Sequence, residues 1–300
     1  MIGPDGTEPS AISDNVTQCK QRALVQIRES FEDCVNPDNR LSYHNQAHTE
    51  GVVARTEVIT RAMGLSARDV DRSRLAAACH DVSRTWTERM EDDGAVVRVP
   101  NSPTDEAQSI VWMISTVMMV FDRNLLLTRH DLSIASAAIM TTAPIARADK
   151  DVKYQPLLTA SSHPVARALA LADMNAAAMA RTPEEAEAAA REGDRYLRER
   201  ELGLARHLRG IKSRAEFPLQ LAKIYRRRIL DSHDSQTRFL GDRTEHLVGD
   251  LGEFEAELAP LLSFDNIWRV RKAWSQLHLD RIGMDFWDLL ADIGYDVPAA

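Results

Sequence analysis

The sequence predicts an all-α protein, and three observations predict it. Alternating β-branched runs, the mark of half-buried strands, are almost absent. Ala, Leu, Arg and Glu, which lose little rotamer freedom in a helix, are abundant. Helix-start and helix-stop residues such as Gly64, Ser66 and Thr104 stand where apolar periodicity breaks and resumes. With 300 residues, 44% of them hydrophobic and 27% charged, the chain can bury a sizeable core as one large domain or a domain plus an appendage.

Taken in order, a first helix fits 14–34 and a second fits 44–63, the latter stopped by Gly64 as a C′ residue. Ser66 with Asp69 resembles a capping box and starts a third helix that runs to Asp81. "SRTWTERMEDDGAVVRVPNSP" reads as a loop with a short hairpin at "AVVRV", and loops of that length often serve as lids or binding loops. Thr104 caps an apolar helix over 105–121, another helix fits 131–142, and Pro144 breaks the chain into an irregular 143–163. A helix over 164–181 carries "ARALALADMNAAAMA". After Pro183 a long charged amphipathic helix runs to "RHLRG", and three or four more helices fill 213–292. The expected organisation is a flexible N-terminus over 1–13, a helical core over 14–181 and a helical extension over 182–300. The extension either packs on the core or mediates oligomerisation, with Trp268, Trp274 and Trp287 packing its helices.

Composition narrows the function classes. A formal net charge of −8 argues against a dedicated nucleic-acid binder. The basic "YRRR" at 225–228 reads as a solvated face with local salt bridges. Cys19, Cys34 and Cys79 show no CxxC spacing and read as reduced, packed thiols. The opening "MIGPDGTEPSAISDN" has no apolar secretory core, and "IVWMISTVMMVF" is too short to span a bilayer, so a cytoplasmic protein without membrane contact is expected.

Polar residues of one kind recur at apolar places. "LSYHNQAHTEGV" holds His44 and His48 at i and i+4, the spacing of one helix face. His80 and Asp81 end the apolar run "AAACHDV", and Asp173 interrupts an almost wholly apolar helix. A carboxylate there is costly unless paired or bound to a cation. Imidazole and carboxylate together suit Mn, Fe, Zn or a similar divalent ion, which would also offset the repulsion between Asp81 and Asp173.

His48, the adjacent His80-Asp81 and the distant Asp173 resemble, in that order, the H…HD…D signature of the HD-domain superfamily of metal-dependent phosphohydrolases. "YHNQAH" is similar to the Tyr-His-Asn-x-x-His opening of cyclic-nucleotide phosphodiesterases and of small HD phosphohydrolases. The resemblance covers roughly residues 40–180, where "NSPTDEAQS" and "MTTAP" match looser segments. It implies an all-helical fold in which His48, His80, Asp81 and Asp173 hold a divalent metal (Mn, Fe, Zn, Mg or similar), Asp81 being able to bridge a second. It further implies that His44 protonates the leaving oxygen, with Asp81 beside it in the catalytic set. The substrate would be a phosphate monoester or diester of a nucleotide or another small phosphorylated metabolite.

The chain departs from the family where many members continue His-Asp with Ile-Gly-Lys. Here Val82-Ser83-Arg84 follows, and Arg84 is a candidate for contacting substrate phosphate through a bidentate fork. Lys150 and Lys153, in the irregular segment, are further candidates for meeting an anion. A di-iron oxygenase would need more ligands, for which only His130 and His163 are placed, and His163 lies about 15 Å along a helix from Asp173. A non-catalytic helical module that binds a metal or a nucleotide is the other rival. Plainer readings stand beside these: Asp173 as an ion pair with Arg167 or Arg181, His44 as a capping residue, Glu106 as a helix-start charge, Thr141 and Thr142 as helix-end hydroxyls, and Cys79 as core.

Overall fold

The computed structural model describes residues 12–120, 126–143, 145–147, 152–155, 157–159 and 161–299. Residues 1–11 of the expected N-terminus, Pro144 and Lys150 lie outside them. The described chain is predominantly helical. Its first half carries α1 (Ser13–Phe31), α2 (Gln46–Ala62), α3 (Ala67–Cys79), α4 (Thr104–Val120), α5 (Arg129–Thr141) and α6 (Pro164–Met174). Its second half carries α7 (Pro183–Arg200), α8 (Leu202–Gly210), α9 (Leu219–Leu251), α10 (Glu255–Leu258), α11 (Phe264–Ile282) and α12 (Phe286–Asp292). Two antiparallel hairpins interrupt the helices: β1 (Trp86–Met90) with β2 (Val96–Pro100), and β3 (Ile145–Arg147) with β4 (Val152–Tyr154). The first includes the "AVVRV" segment; its turn is closed by Gly94, whose φ of 85° lies in the left-handed region. No helix among the described residues is long and apolar enough to cross a membrane.

α3 lies at the centre, against α1, α2, α5 and α6. Its stretch Leu75, Ala76, Ala77, Ala78 and Cys79 is wholly buried, and its small side chains let several helices approach one axis. The core that forms there does not stop at residue 181: Leu240, Leu247, Leu251, Ile267, Val270 and Trp274 from α9 and α11 belong to it. A smaller apolar cluster joins Leu204, Phe217, Tyr225, Phe286 and Leu290. Trp274 is therefore core, whereas Trp268 is exposed. Of the "YRRR" stretch, expected as a solvated face, Arg227 is exposed and pairs locally with Asp231, whereas Tyr225 is core and Arg228 reaches across the fold to Glu201 and Asp93.

The expected helix extents differ most in two places. α6 ends at Asn175, whose φ of −113° and ψ of 29° leave the helical region, and a 3-10 turn covers Ala176–Met179. The long charged helix breaks at Glu201 (φ −81°, ψ 66°), whose buried carboxylate accepts from Arg228 of α9 through Nε at 3.0 Å and Nη2 at 2.8 Å. Elsewhere Ser66 Oγ accepts from Asp69 N as expected, whereas Thr104, expected as a cap, is the first residue of α4; Thr182 and Glu185, which the sequence did not single out, form a reciprocal box at the start of α7.

The start of α5 is locked to α3 through Asp131. This wholly buried carboxylate accepts from Thr128 N at 2.6 Å, Arg68 at 2.5 Å and Arg72 at 2.7 Å. Against the cost of burial, the bonds from Arg68, Thr128 and Arg72 hold its carboxyl far below the usual range. Asp131→Asn is expected to destabilise the fold by about 2 kcal/mol, less than the ~3–5 of a fully buried pair because Arg68 is over a third exposed. A depressed folded pKa contributes stability above the unfolded carboxylate value and loses it as pH falls. The gap between wild type and variant in urea melts should therefore be full at pH 6 and shrink below about pH 4.

Candidate metal centre

Four side chains from three helices converge at one buried point. α2 begins at the N-cap Asn45, whose side chain accepts from His48 N at 3.0 Å, while Glu32 Oε1 accepts from Gln46 N at 2.7 Å. This places His48 in the first turn. α3 ends at His80, with Asp81 immediately after it. Asp173 sits in the last turn of α6, which Arg55 of α2 holds by donating from Nε to Ala172 O at 2.8 Å.

His48 Nε2 lies 3.4 Å from Asp81 Oδ2 and 3.6 Å from Asp173 Oδ1; His80 Nε2 lies 3.1 Å and 3.8 Å from the same two atoms. His48, His80 and Asp173 each offer a ligand atom within 4.8 Å of the others, an arrangement that could hold a metal ion. Asp81 Oδ2 stands beside both imidazoles. The side chains of His48, His80 and Asp81 are 5%, 1% and 6% exposed, so bulk water does not solvate them. His80 donates from Nδ1 to Ala77 O at 2.7 Å, which leaves the Nε2 lone pair facing the cluster. His48 Nε2, His80 Nε2 and Asp81 Oδ2 are all buried without a hydrogen-bond partner. Buried polar atoms in a folded protein are rarely left so, and three aimed at one point fit a cation.

The electrostatics agree. Against the cost of burial, Asp173 and Asp81 raise the His48 pKa to about 9, so a positive charge is favoured between the two carboxylates. Burial opposes ionisation of Asp81 too, yet Arg84 and His80 hold its carboxyl well below the usual range. Arg167 and Arg181, the alternative partners for Asp173, instead donate to the carbonyls of Asp250 and Pro260.

His44 differs from expectation in one respect. It precedes the Asn45 cap and so lies outside α2, not on a shared helical face with His48. The extended backbone of Asn45 still brings the two rings to 5.8 Å between centroids, and Tyr43 packs on His48 at 4.5 Å. A residue that the sequence did not single out fixes this: Glu199, at the end of α7. Its Oε2 accepts from Tyr43 N and His44 N, both at 3.0 Å, and its Oε1 bonds to the His44 ring at Nδ1. Burial opposes the charge, but the His44 ring and these backbone donors bring Glu199 to about 2. Burial and then Arg84 lower the His44 pKa, so the neutral ring donates Nδ1–H to Glu199 and leaves Nε2 for exchange.

Arg84 leans back on the cluster. It forms an ion pair with Asp81 Oδ1 at 3.0 Å and stands 3.9 Å from Asp105 and 4.0 Å from Glu106. It also lines a groove of about 480 Å³ with Phe31, Val82, Gln108 and Trp112. Lys153 pairs through its backbone with Ala146 in the second hairpin; its side chain, like all of Lys150, lies outside the described residues. His163 serves as the N-cap of α6, accepting from Val165 N, and His130 is exposed; neither joins the cluster. Thr141 and Thr142 donate to carbonyls of their own helix end, and Cys79 is core. No family model matches the sequence, nor does any curated protein or solved structure.

Proposed function

We propose that the chain is a metal-dependent phosphohydrolase acting on a phosphate monoester or diester of a nucleotide or another small phosphorylated metabolite. The observation that carries this reading is the convergence of His48 Nε2, His80 Nε2 and Asp81 Oδ2, buried and unpartnered, beside Asp173. His48, His80, Asp81 and Asp173 would hold a divalent ion, which when bound lowers the pKa of its water and polarises a phosphoryl oxygen.

The remaining residues supply what such chemistry asks of a protein. His44 lies on the rim, 5.8 Å from the His48 ring, with Nδ1 committed to Glu199. Its Nε2 is the atom that would carry a proton to the departing oxygen. Glu199 keeps the ring from turning and favours its protonated state, in the way a carboxylate orients a catalytic imidazole. Burial of the cluster excludes bulk water, and the groove beside Arg84 gives room for the organic part of a substrate. The positive charge of Arg84 is partly offset by the three carboxylates around it, so it would attract substrate phosphate less than a free guanidinium.

The test is a panel of phosphomonoesters and phosphodiesters, turned over by the full chain stripped with chelator and reloaded with Mn, Fe, Zn or Mg. The expected result is hydrolysis that appears with one of these metals and vanishes on chelation. Folded, metal-loaded protein that hydrolyses none of the panel would overturn the reading in favour of a binding module.

A further inference from the structure

Asp81 has two oxygens with different neighbours. Oδ2 faces the imidazoles of His80 and His48 at 3.1 Å and 3.4 Å, while Oδ1 pairs with the Arg84 guanidinium at 3.0 Å. A carboxylate between two cations is how one residue links the ions of a two-metal site. Here the second position holds a guanidinium.

The surroundings of Arg84 are built for a cation. Asp105 Oδ2 is 3.9 Å from one of its terminal nitrogens and Glu106 Oε1 is 4.0 Å from the same atom. Asp81, Asp105 and Glu106 are 4%, 1% and 3% exposed, so water screens none of them. Neutral groups fix both outer carboxylates from behind. Asp105 Oδ1 accepts from Thr85 N at 3.0 Å and Thr85 Oγ1 at 2.6 Å, and both oxygens of Glu106 take the Ser102 hydroxyl at 3.2 Å and 3.1 Å. Asp105 Oδ2 is buried without a hydrogen-bond partner and faces the guanidinium. Oxygen donors of this kind suit Mn or Mg.

We propose that Arg84 occupies the place of a second metal ion, and so sets the centre at one metal per chain. The proposal rests on the metal-centre reading above. The guanidinium is tethered three residues after Asp81, carries its own positive charge into the carboxylate cluster, and fills the space a second ion would need. A change that removes its charge leaves three buried carboxylates facing one another, a cost that a divalent ion could relieve.

The experiment is a manganese count on the full chain, by equilibrium binding and by the electron paramagnetic resonance of bound Mn, for wild type, Arg84→Ala, Arg84→Gln and Arg84→Lys. Wild type and Arg84→Lys are expected to bind one ion. Arg84→Ala and Arg84→Gln are expected to bind two, with a spin-coupled signal, and to lose melting temperature in chelator and recover it as Mn is added. Two ions in wild type or in Arg84→Lys would overturn the proposal. One ion in folded Arg84→Ala and Arg84→Gln would overturn it as well, as would a failure of both to fold that added Mn does not repair. No ion in wild type would instead sink the metal centre itself, whereas one ion without any hydrolysis would leave the Arg84 result standing and remove only the enzymatic reading.

Discussion

Asp81→Ala is expected to yield a folded chain that retains little transition metal and hydrolyses phosphoesters more than ~100-fold more slowly, beyond the ~10–100-fold typical of residues that only orient ligands. Asp81 is the only member of the cluster placed against both imidazole nitrogens at 3.4 Å or less. Its removal leaves His48 and His80 with one anionic partner, Asp173, at 3.6 Å and 3.8 Å. The net charge of the site rises by one, which lowers the affinity of a divalent cation. The helices should survive, because Arg84 keeps Asp105 and Glu106 as counter-ions and the apolar stripe of α3 is untouched. Elemental analysis beside a circular dichroism spectrum checks both halves. If Asp81→Ala keeps its full metal content and activity, Asp81 is the counter-ion of Arg84 and nothing more.

Three of the four candidate ligands stand out in the sequence as polar residues in places that ought to be apolar, whereas His48, in the polar "YHNQAH", stands out by its spacing from His44 and by resemblance. Asp173 interrupts "ALALADM", and His80-Asp81 ends "AAAC", so burial could be inferred without any structure. The helices were legible for the same reason, periodicity and caps being local properties. What local pattern does not encode is the partner across the fold. Glu199 lies 155 residues from His44 in "RYLRERE", among charges that look alike. Both carboxylates of that stretch turn inward, and nothing in it tells Glu199, which meets His44, from Glu201, which meets Arg228. Asp105 is hidden similarly, since an acidic residue at a helix start already has an explanation in the dipole. The expected start of α2 at residue 44 is two residues early: Asn45 reads equally well as a helix residue or as a cap, and only the extended Asn45 backbone decides it. The first hairpin was traceable through "AVVRV", but its partner "WTERM" has an exposed, non-alternating face that carries no strand signal.

Glu199→Gln is the sharper test of the proton-handling half of the site. The amide can still accept from Tyr43 N and His44 N with its oxygen, but its nitrogen then meets His44 Nδ1 as a donor. The imidazole must take the opposite tautomer, with the hydrogen on Nε2 and no anion behind it. Metal content should be unchanged, because Glu199 does not reach the ligand cluster, while turnover should fall by about 10–100-fold. The pH dependence carries the decisive sign. On the proposed reading His44 would donate only when protonated, so its contribution would decline as pH rises through its pKa. Glu199 raises that pKa against burial and Arg84. Without the charge, the decline in rate should therefore set in at lower pH, a displacement that mere loss of packing would not produce. His44→Ala should also keep the metal and lower turnover, most for poor leaving groups, and adding Glu199→Gln to it should cost little more, since the two residues act as one unit. Fully additive losses in that double variant would separate Glu199 from His44 and assign the carboxylate to holding the end of α7 against Tyr43 alone.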